Sequence, residues 1–243
     1  MASLLFRAAR RAAERVQSLP RRRLYPWIPR WAEVRPEHRV HPHVPVERAE
    51  WFEAHNTGST EFEVLNWLYA TIRLLKPASV LETGAADGLG TIALASACAA
   101  NDRGIVHSVE IDPTLCEQLR RRTATEGLAD RVRVHCESSL TYLASTSDRF
   151  DIGFFDSLCE LRAQEFRMCL DRGLITTAAI FHDTSPHRTE SLKEWPSPEE
   201  HARYRADVLA LARDPRCSGF FESTLSRGFI AIFVGTGARA GAA

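Results

Sequence analysis

Apolar and polar positions follow two rhythms along this chain. Phe62, Leu65, Leu68, Tyr69, Ile72 and Leu75 recur at three- and four-residue steps, which predicts a helix that Pro77 stops. Residues 79–82 then read as a strand, and 91–100 as a helix. The alternation continues with a strand over 105–111, a helix over 114–125 and a strand over 132–136. It goes on with a strand over 150–156, a helix over 160–170, a strand over 174–182 and a helix over 199–213. Residues 220–224 and 229–234 predict a terminal hairpin around Ser226-Arg227-Gly228. Strands alternating with helices imply an α/β fold: a doubly wound, mostly parallel sheet with helices on both faces. Such sheets bind ligands at the carboxyl ends of their strands, so the chemistry is expected there.

The first part of the chain has a different pattern. Residues 3–18 are compatible with a helix carrying Leu5, Ala12 and Val16 on one side and arginines on the others. Such a helix can lie on an anionic membrane surface, grip an acidic partner, or remain a solvated arm. Pro20 ends it. Pro26, Pro29, Pro36, Pro42 and Pro45 interrupt the next stretch of chain, as in an extended wrapping segment or a linker. The expected division is a basic extension over 1–56, one catalytic domain over 57–236 and a tail over 237–243. His38, His41 and His43 lack the spacing or cysteine partners of a metal site.

Charge sharpens that division. The chain of 243 residues has 31 basic and 31 acidic side chains. Residues 1–48 hold eleven arginines against four acids, so this part is +7 and the remainder −7. A neutral total argues against a dedicated nucleic-acid binder. No apolar run approaches the ~18 residues of a membrane-spanning helix. The six cysteines form no Cys-x-x-Cys pair, and several fall in apolar segments, which fits free thiols in a reducing cytoplasm. The Arg-rich, acid-poor start also has the composition of a mitochondrial transit peptide, the alternative localisation.

Each strand end carries a candidate. The first leads into Glu82-Thr83-Gly84-Ala85-Ala86-Asp87-Gly88-Leu89-Gly90, a glycine-rich turn before a helix. Its spacing is not the Gly-x-Gly-x-x-Gly of a dinucleotide site, which disfavours a nicotinamide-dependent oxidoreductase. A plain strand-to-helix turn is the other reading. The second strand ends at Glu110, whose two carboxylate oxygens can accept both hydroxyls of a ribose, with Asp112 before Pro113 as a helix cap. Glu137 and Ser138 follow the third strand and can meet a base edge. Asp156 and Asp183 follow the fourth and fifth. Two acids beside buried strands suit a divalent metal, Mg²⁺ or Mn²⁺, or else cap loops.

Glu82-x-Gly84-x-x-x-Gly88, followed by Glu110, Glu137-Ser138 and Asp156, resembles the ordered motifs of class I S-adenosylmethionine-dependent methyltransferases. Within them, the segments FFDS and IFHDTS are most similar to small-molecule O-methyltransferases, including those acting on natural-product sugars and phenols. The resemblance implies a Rossmann-like seven-stranded sheet with an antiparallel last strand. It also implies that Glu82, Gly84 and Gly88 hold the cofactor's amino-acid part, Glu110 its ribose, and Glu137 and Ser138 its adenine. Asp156 would face methyl transfer. Relatives that need a metal usually follow the fifth-strand acid with Asn or Asp, whereas here Asp183 lies between His182 and Thr184. Cys159 stands where some relatives carry a lysine base.

The expected activity is methylation of a hydroxyl on a small molecule. A metal on Asp156 and Asp183 would lower the hydroxyl's pKa, or His182 or His187 would act as general base. An N-methyltransferase, a macromolecule methyltransferase and a non-catalytic partner-binding protein are the rivals. Residues 185–198, with Arg188 and Trp195, read as a substrate lid. A homodimer through the basic arm is the expected assembly.

Overall fold

Seven strands form one sheet in the order β3-β2-β1-β4-β5-β7-β6. They are β1 (Ser79–Thr83), β2 (Ile105–Glu110), β3 (Val132–Cys136), β4 (Phe150–Phe155), β5 (Ile175–His182), β6 (Cys217–Ser223) and β7 (Phe229–Val234). The computed structural model describes residues 60–186, 197–224 and 227–235. The expected extension over 1–56, the tail over 237–243, His187 and most of the segment read as a lid lie outside these residues.

The first five strands pair in parallel, while β7 runs antiparallel between β5 and β6. The Rossmann-like, doubly wound expectation holds, including the terminal hairpin. Each central strand sends side chains alternately to two buried faces. Phe155 and Phe181 join Phe166 and Tyr204 on one face. Phe154 and Ile180 join Leu68, Ile72 and Ile92 on the other. Burying each such large apolar side chain contributes about 1.5–3 kcal/mol.

Among the described residues, six α-helices clothe the sheet: α1 (Phe62–Leu75), α2 (Leu89–Ala100), α3 (Pro113–Thr125), α4 (Ser139–Ser145), α5 (Cys159–Arg172) and α6 (Pro198–Leu211). Helices α1 and α2 cover the Phe154 face, and α4, α5 and α6 the Phe155 face. Local chemistry sets their ends. Asp112 caps α3 through Thr114 N at 2.7 Å, with Pro113 in the first turn. Ser197 and Glu200 form a reciprocal capping box at α6. The short α4 and the earlier start of β6 were not legible in the pattern. Gly219 interrupts the alternation in β6, where the register with β7 shifts. Among the described residues, no helix is long and apolar enough to cross a membrane.

Candidate active site

A cavity of about 480 Å³ opens across the carboxyl ends of β1, β2, β3 and β4. Its wall includes Glu82, Gly84, Glu110, Glu137, Ser138 and Asp156, which brings together residues separated by as much as 74 positions in sequence.

The turn after β1 forms the floor. Gly84 has φ +78°, and a Cβ there would stand 2.6 Å from the Asp156 carbonyl oxygen and the Ser157 Cα. The β1 and β4 loops therefore cross in a contact that only glycine permits. Gly88 departs from expectation. It caps α2 but does not line the cavity, and its missing side chain faces Leu119 of α3. Gly90 lines the cavity instead, packed so closely on the Glu82 carboxylate that a methyl group would collide with it.

Glu82 is buried, and its Oε2 accepts hydrogen bonds from Thr91 Oγ1 and, at 2.7 Å, from Ser108 Oγ. Burial pushes its carboxyl up to about 7; the two hydroxyls pull it back, and the charges of Asp156 and Glu110 add to the rise. Glu110 holds the loops themselves. Its Oε2 accepts from Ala86 N at 2.9 Å, and its Oε1 from Ile111 N at 2.8 Å and Asp112 N at 3.0 Å. A carboxylate offers about four acceptor positions, so these three bonds leave it room for one more donor without rearrangement. Ile111 and Leu158 are exposed apolar side chains on the cavity wall, 69% and 49% accessible.

Two buried acids and two buried arginines were not singled out in the sequence. Glu165 of α5 has no exposed surface; it accepts a bond from Thr83 Oγ1 at 2.9 Å and another from Ser139 Oγ. Burial raises its pKa against the pull of these hydroxyls. The others, Glu61, Arg162 and Arg227, gather around Asp156, His182 and Asp183. Arg162 Nη2 lies 3.0 Å from Asp156 Oδ1 and its Nη1 3.5 Å from Asp183 Oδ2. Arg227 grips Asp183 with two bonds, Nε to Oδ1 at 2.6 Å and Nη2 to Oδ2 at 3.0 Å. Thr60 Oγ1 donates to Asp156 Oδ2 at 2.9 Å. The signal for Arg162 and Glu165 was available: both fall on the buried stripe of α5 with Phe166 and Cys169. Glu61 and Arg227 carried none, because their partners are remote in sequence.

His182 stands within this network, away from the cavity wall. It is fully buried, with Nδ1 2.8 Å from Asp156 Oδ1 and Nε2 2.6 Å from Glu61 Oε2. Burial alone would lower its pKa, but Asp156, Asp183 and Glu61 outweigh it and raise the ring to about 9. A ring protonated at neutral pH and held by two carboxylates is not placed as the general base that the sequence suggested. The burial cost on Glu61 and Asp156 is likewise outweighed by neighbouring cations, His182 first, and both carboxyls are held below their ordinary values.

The expected metal meets the same obstacle. Asp156, His182 and Asp183 offer ligand atoms within 4.8 Å of one another. Yet every carboxylate oxygen of the pair already accepts from Thr60, His182, Arg162 or Arg227. The side chains present do not fit a divalent cation, because two guanidinium groups already supply the positive charge.

A family model described as a methyltransferase domain matches residues 81–203. No curated protein matches the sequence. Among solved structures, the chain is similar to the SAH-bound methyltransferase of Podospora anserina, with 18% identity, a TM-score of 0.62, and 83% of this chain and 89% of that one covered. It is also similar to the O-methyltransferase of Bacillus cereus in complex with SAH, with 19% identity, a TM-score of 0.61, and 80% and 94% covered. A third is the O-methyltransferase TomG of Streptomyces achromogenes, involved in tomaymycin synthesis and in complex with SAM, with 18% identity, a TM-score of 0.58, and 79% and 90% covered.

Proposed function

The chain belongs to the family of methyltransferase domains, and from that premise we propose that it transfers the methyl group of S-adenosylmethionine to a hydroxyl of a small molecule. The observation that carries this reading is the cavity, which spans successive strand ends and meets an acid at β1, β2 and β4. Structures of similar fold hold SAH or SAM. A sugar or phenol hydroxyl is the acceptor class that the resemblance of its FFDS and IFHDTS segments to small-molecule O-methyltransferases supports.

The roles derive from position. Glu82, with the backbone at Gly84 and Ala85, would receive the cofactor's ammonium and carboxylate. Glu110 would take a ribose hydroxyl at its remaining acceptor position. Glu137 and Ser138 would meet the adenine edge, and Ile111 and Leu158 its apolar faces. The cofactor supplies an electrophilic sulfonium methyl, so the protein's part is mostly orientation. Asp156 lines the cavity as an anion, with 13% of its side chain exposed. It would accept a hydrogen bond from the acceptor hydroxyl, aim an oxygen lone pair at the methyl group and receive the proton as the new bond forms. His182 and Arg162 would hold Asp156 in place from behind.

Calorimetric titration with S-adenosylhomocysteine tests the reading. Saturable binding is expected, weakened about 10- to 100-fold in Glu110→Ala, the worth of one lost charge-assisted bond. No binding to the wild-type protein would sink the proposal. Transfer of labelled methyl to an amine and never to a hydroxyl would keep the cofactor and overturn the acceptor class. We also assign the catalytic domain to 57–236. A protein lacking residues 1–56 should bind S-adenosylhomocysteine as the full chain does.

A further inference from the structure

We propose that Arg162 and Arg227 occupy, as fixed parts of the fold, the place between Asp156 and Asp183 that a divalent cation would take, so that this site binds no metal. That the site is the acceptor end of the cavity rests on the methyltransferase reading; its charge balance does not.

Three features support the assignment. The first is that every oxygen of the pair already has a donor. Both oxygens of Asp183 face Arg227 in a forked pair, and both oxygens of Asp156 have donors. Arg162 already bridges the two acids, so a metal bound to both would have to displace it.

The second is that neither arginine is free to leave. Arg162 donates Nε to the Ser157 carbonyl and Nη1 to the His182 carbonyl, each at 2.7 Å, and lies over the Tyr204 ring at 5.4 Å. Its side chain is 5% exposed and that of Arg227 7%. Arg227 is pinned through its backbone as well, N to Glu61 Oε1 at 3.1 Å and O from Ser185 N at 3.0 Å. With its backbone fixed, a swing of its side chain into solvent would strand the buried Asp183 carboxylate.

The third is charge. A guanidinium does not lose its proton in a protein, so the two arginines cannot make room by neutralising. They balance Asp156 and Asp183 without counting His182. A divalent ion added among them would face like charges in a site sheltered from water, where repulsion is strong. Chelation by a buried carboxylate pair needs that pair uncompensated, and here it is compensated by the chain itself.

The test is Mn²⁺ electron paramagnetic resonance on the full chain with S-adenosylhomocysteine present, beside calorimetry of S-adenosylhomocysteine alone. With Mn²⁺ raised to about 1 mM, the range of weak carboxylate sites, the signal is expected to stay that of the free ion. Melting should not shift with Mg²⁺, Mn²⁺ or a chelator. Arg227→Met exposes Asp183, and its Mn²⁺ affinity should rise by at least about tenfold. Arg227→Lys keeps the charge and should bind none. Stoichiometric Mn²⁺ on the wild-type protein, lost in Asp183→Asn, would overturn the proposal. A folded Arg227→Met that gains no Mn²⁺ would overturn the part assigned to Arg227. If Arg227→Met fails to fold, the wild-type signal still decides. Failure to bind S-adenosylhomocysteine would instead strike the methyltransferase reading and leave the Mn²⁺ result standing.

Discussion

At Glu82, burial and two hydroxyl donors hold a carboxyl whose pKa lies near 7, raised from an ordinary 4.5. The folded protein therefore grips this proton more tightly than the unfolded chain does. The stabilisation is complete below pH 4.5 and is lost as pH rises through 7, at about 1.4 kcal/mol per pH unit inside that window. On the proposed reading a cofactor ammonium would stand beside Glu82 and favour the carboxylate, so binding below pH 7 should release a proton. Affinity for S-adenosylhomocysteine should then increase as pH rises towards 7 and level off above it. Calorimetry in two buffers of unlike ionisation enthalpy reads that proton directly. Glu82→Gln should abolish the proton release, weaken binding and flatten the stability profile between pH 4.5 and 7. An unchanged pH profile in Glu82→Gln would remove this residue from the cofactor site. Glu82 was legible because it precedes the glycines by two positions. Its pKa was not, since the burial that raises it arises only on folding, and Ser108, which pulls it back, belongs to β2 and meets it through strand pairing.

Helix α5 connects the core to the site at the scale of an element. Its buried stripe carries Phe166 and Cys169 into the hydrophobic face, and the same stripe sends Glu165 to Thr83 and Ser139. Thr83 ends β1 and Ser139 begins α4, so one carboxyl ties two walls of the cavity to the helix beneath. We expect Glu165→Gln to keep both hydroxyl bonds and bind S-adenosylhomocysteine nearly as the parent does. Glu165→Leu should cost about 1–3 kcal/mol in stability by stranding the Thr83 hydroxyl, and should weaken the cofactor as well. A Leu variant with lower melting temperature but unchanged affinity would make Glu165 a core residue only. The pattern located α5 but singled out none of its charged residues, because periodicity weighs a charge as polar wherever it stands. Arg162 and Glu165 violate that rule because each finds buried partners, the one condition under which a charge inside is tolerated.

For the whole molecule, strand order and charge both exceed what local reading can reach. The alternation of strands and helices and the terminal hairpin arise from neighbouring residues. The insertion of β7 between β5 and β6 does not, since it is decided by pairing across the sheet. The −7 of the chain after residue 48 also looks different when folded. Part of that acid is compensated inside, with Glu61, Asp156 and Asp183 set against Arg162, His182 and Arg227. Two of these contacts reach back to the first described residues: Thr60 bonds Asp156 across 96 positions, and Glu61 bonds His182 across 121. The entry to α1 is thereby part of the cavity wall beside Asp156. Removing residues 1–56 leaves that tie intact, and removing 1–61 cuts it. The shorter deletion should melt within a few degrees of the full chain. The longer one strands His182 and one edge of Asp156, and should lose about 3–5 kcal/mol, as buried ion pairs do when one partner is removed. Glu61→Gln separates charge from chain length: it keeps a hydrogen-bond acceptor for His182 but removes the anion, so it should fall between the two deletions. Equal melting temperatures for both deletions would mean that the network holds without Glu61, and that Asp156 alone fixes the ring.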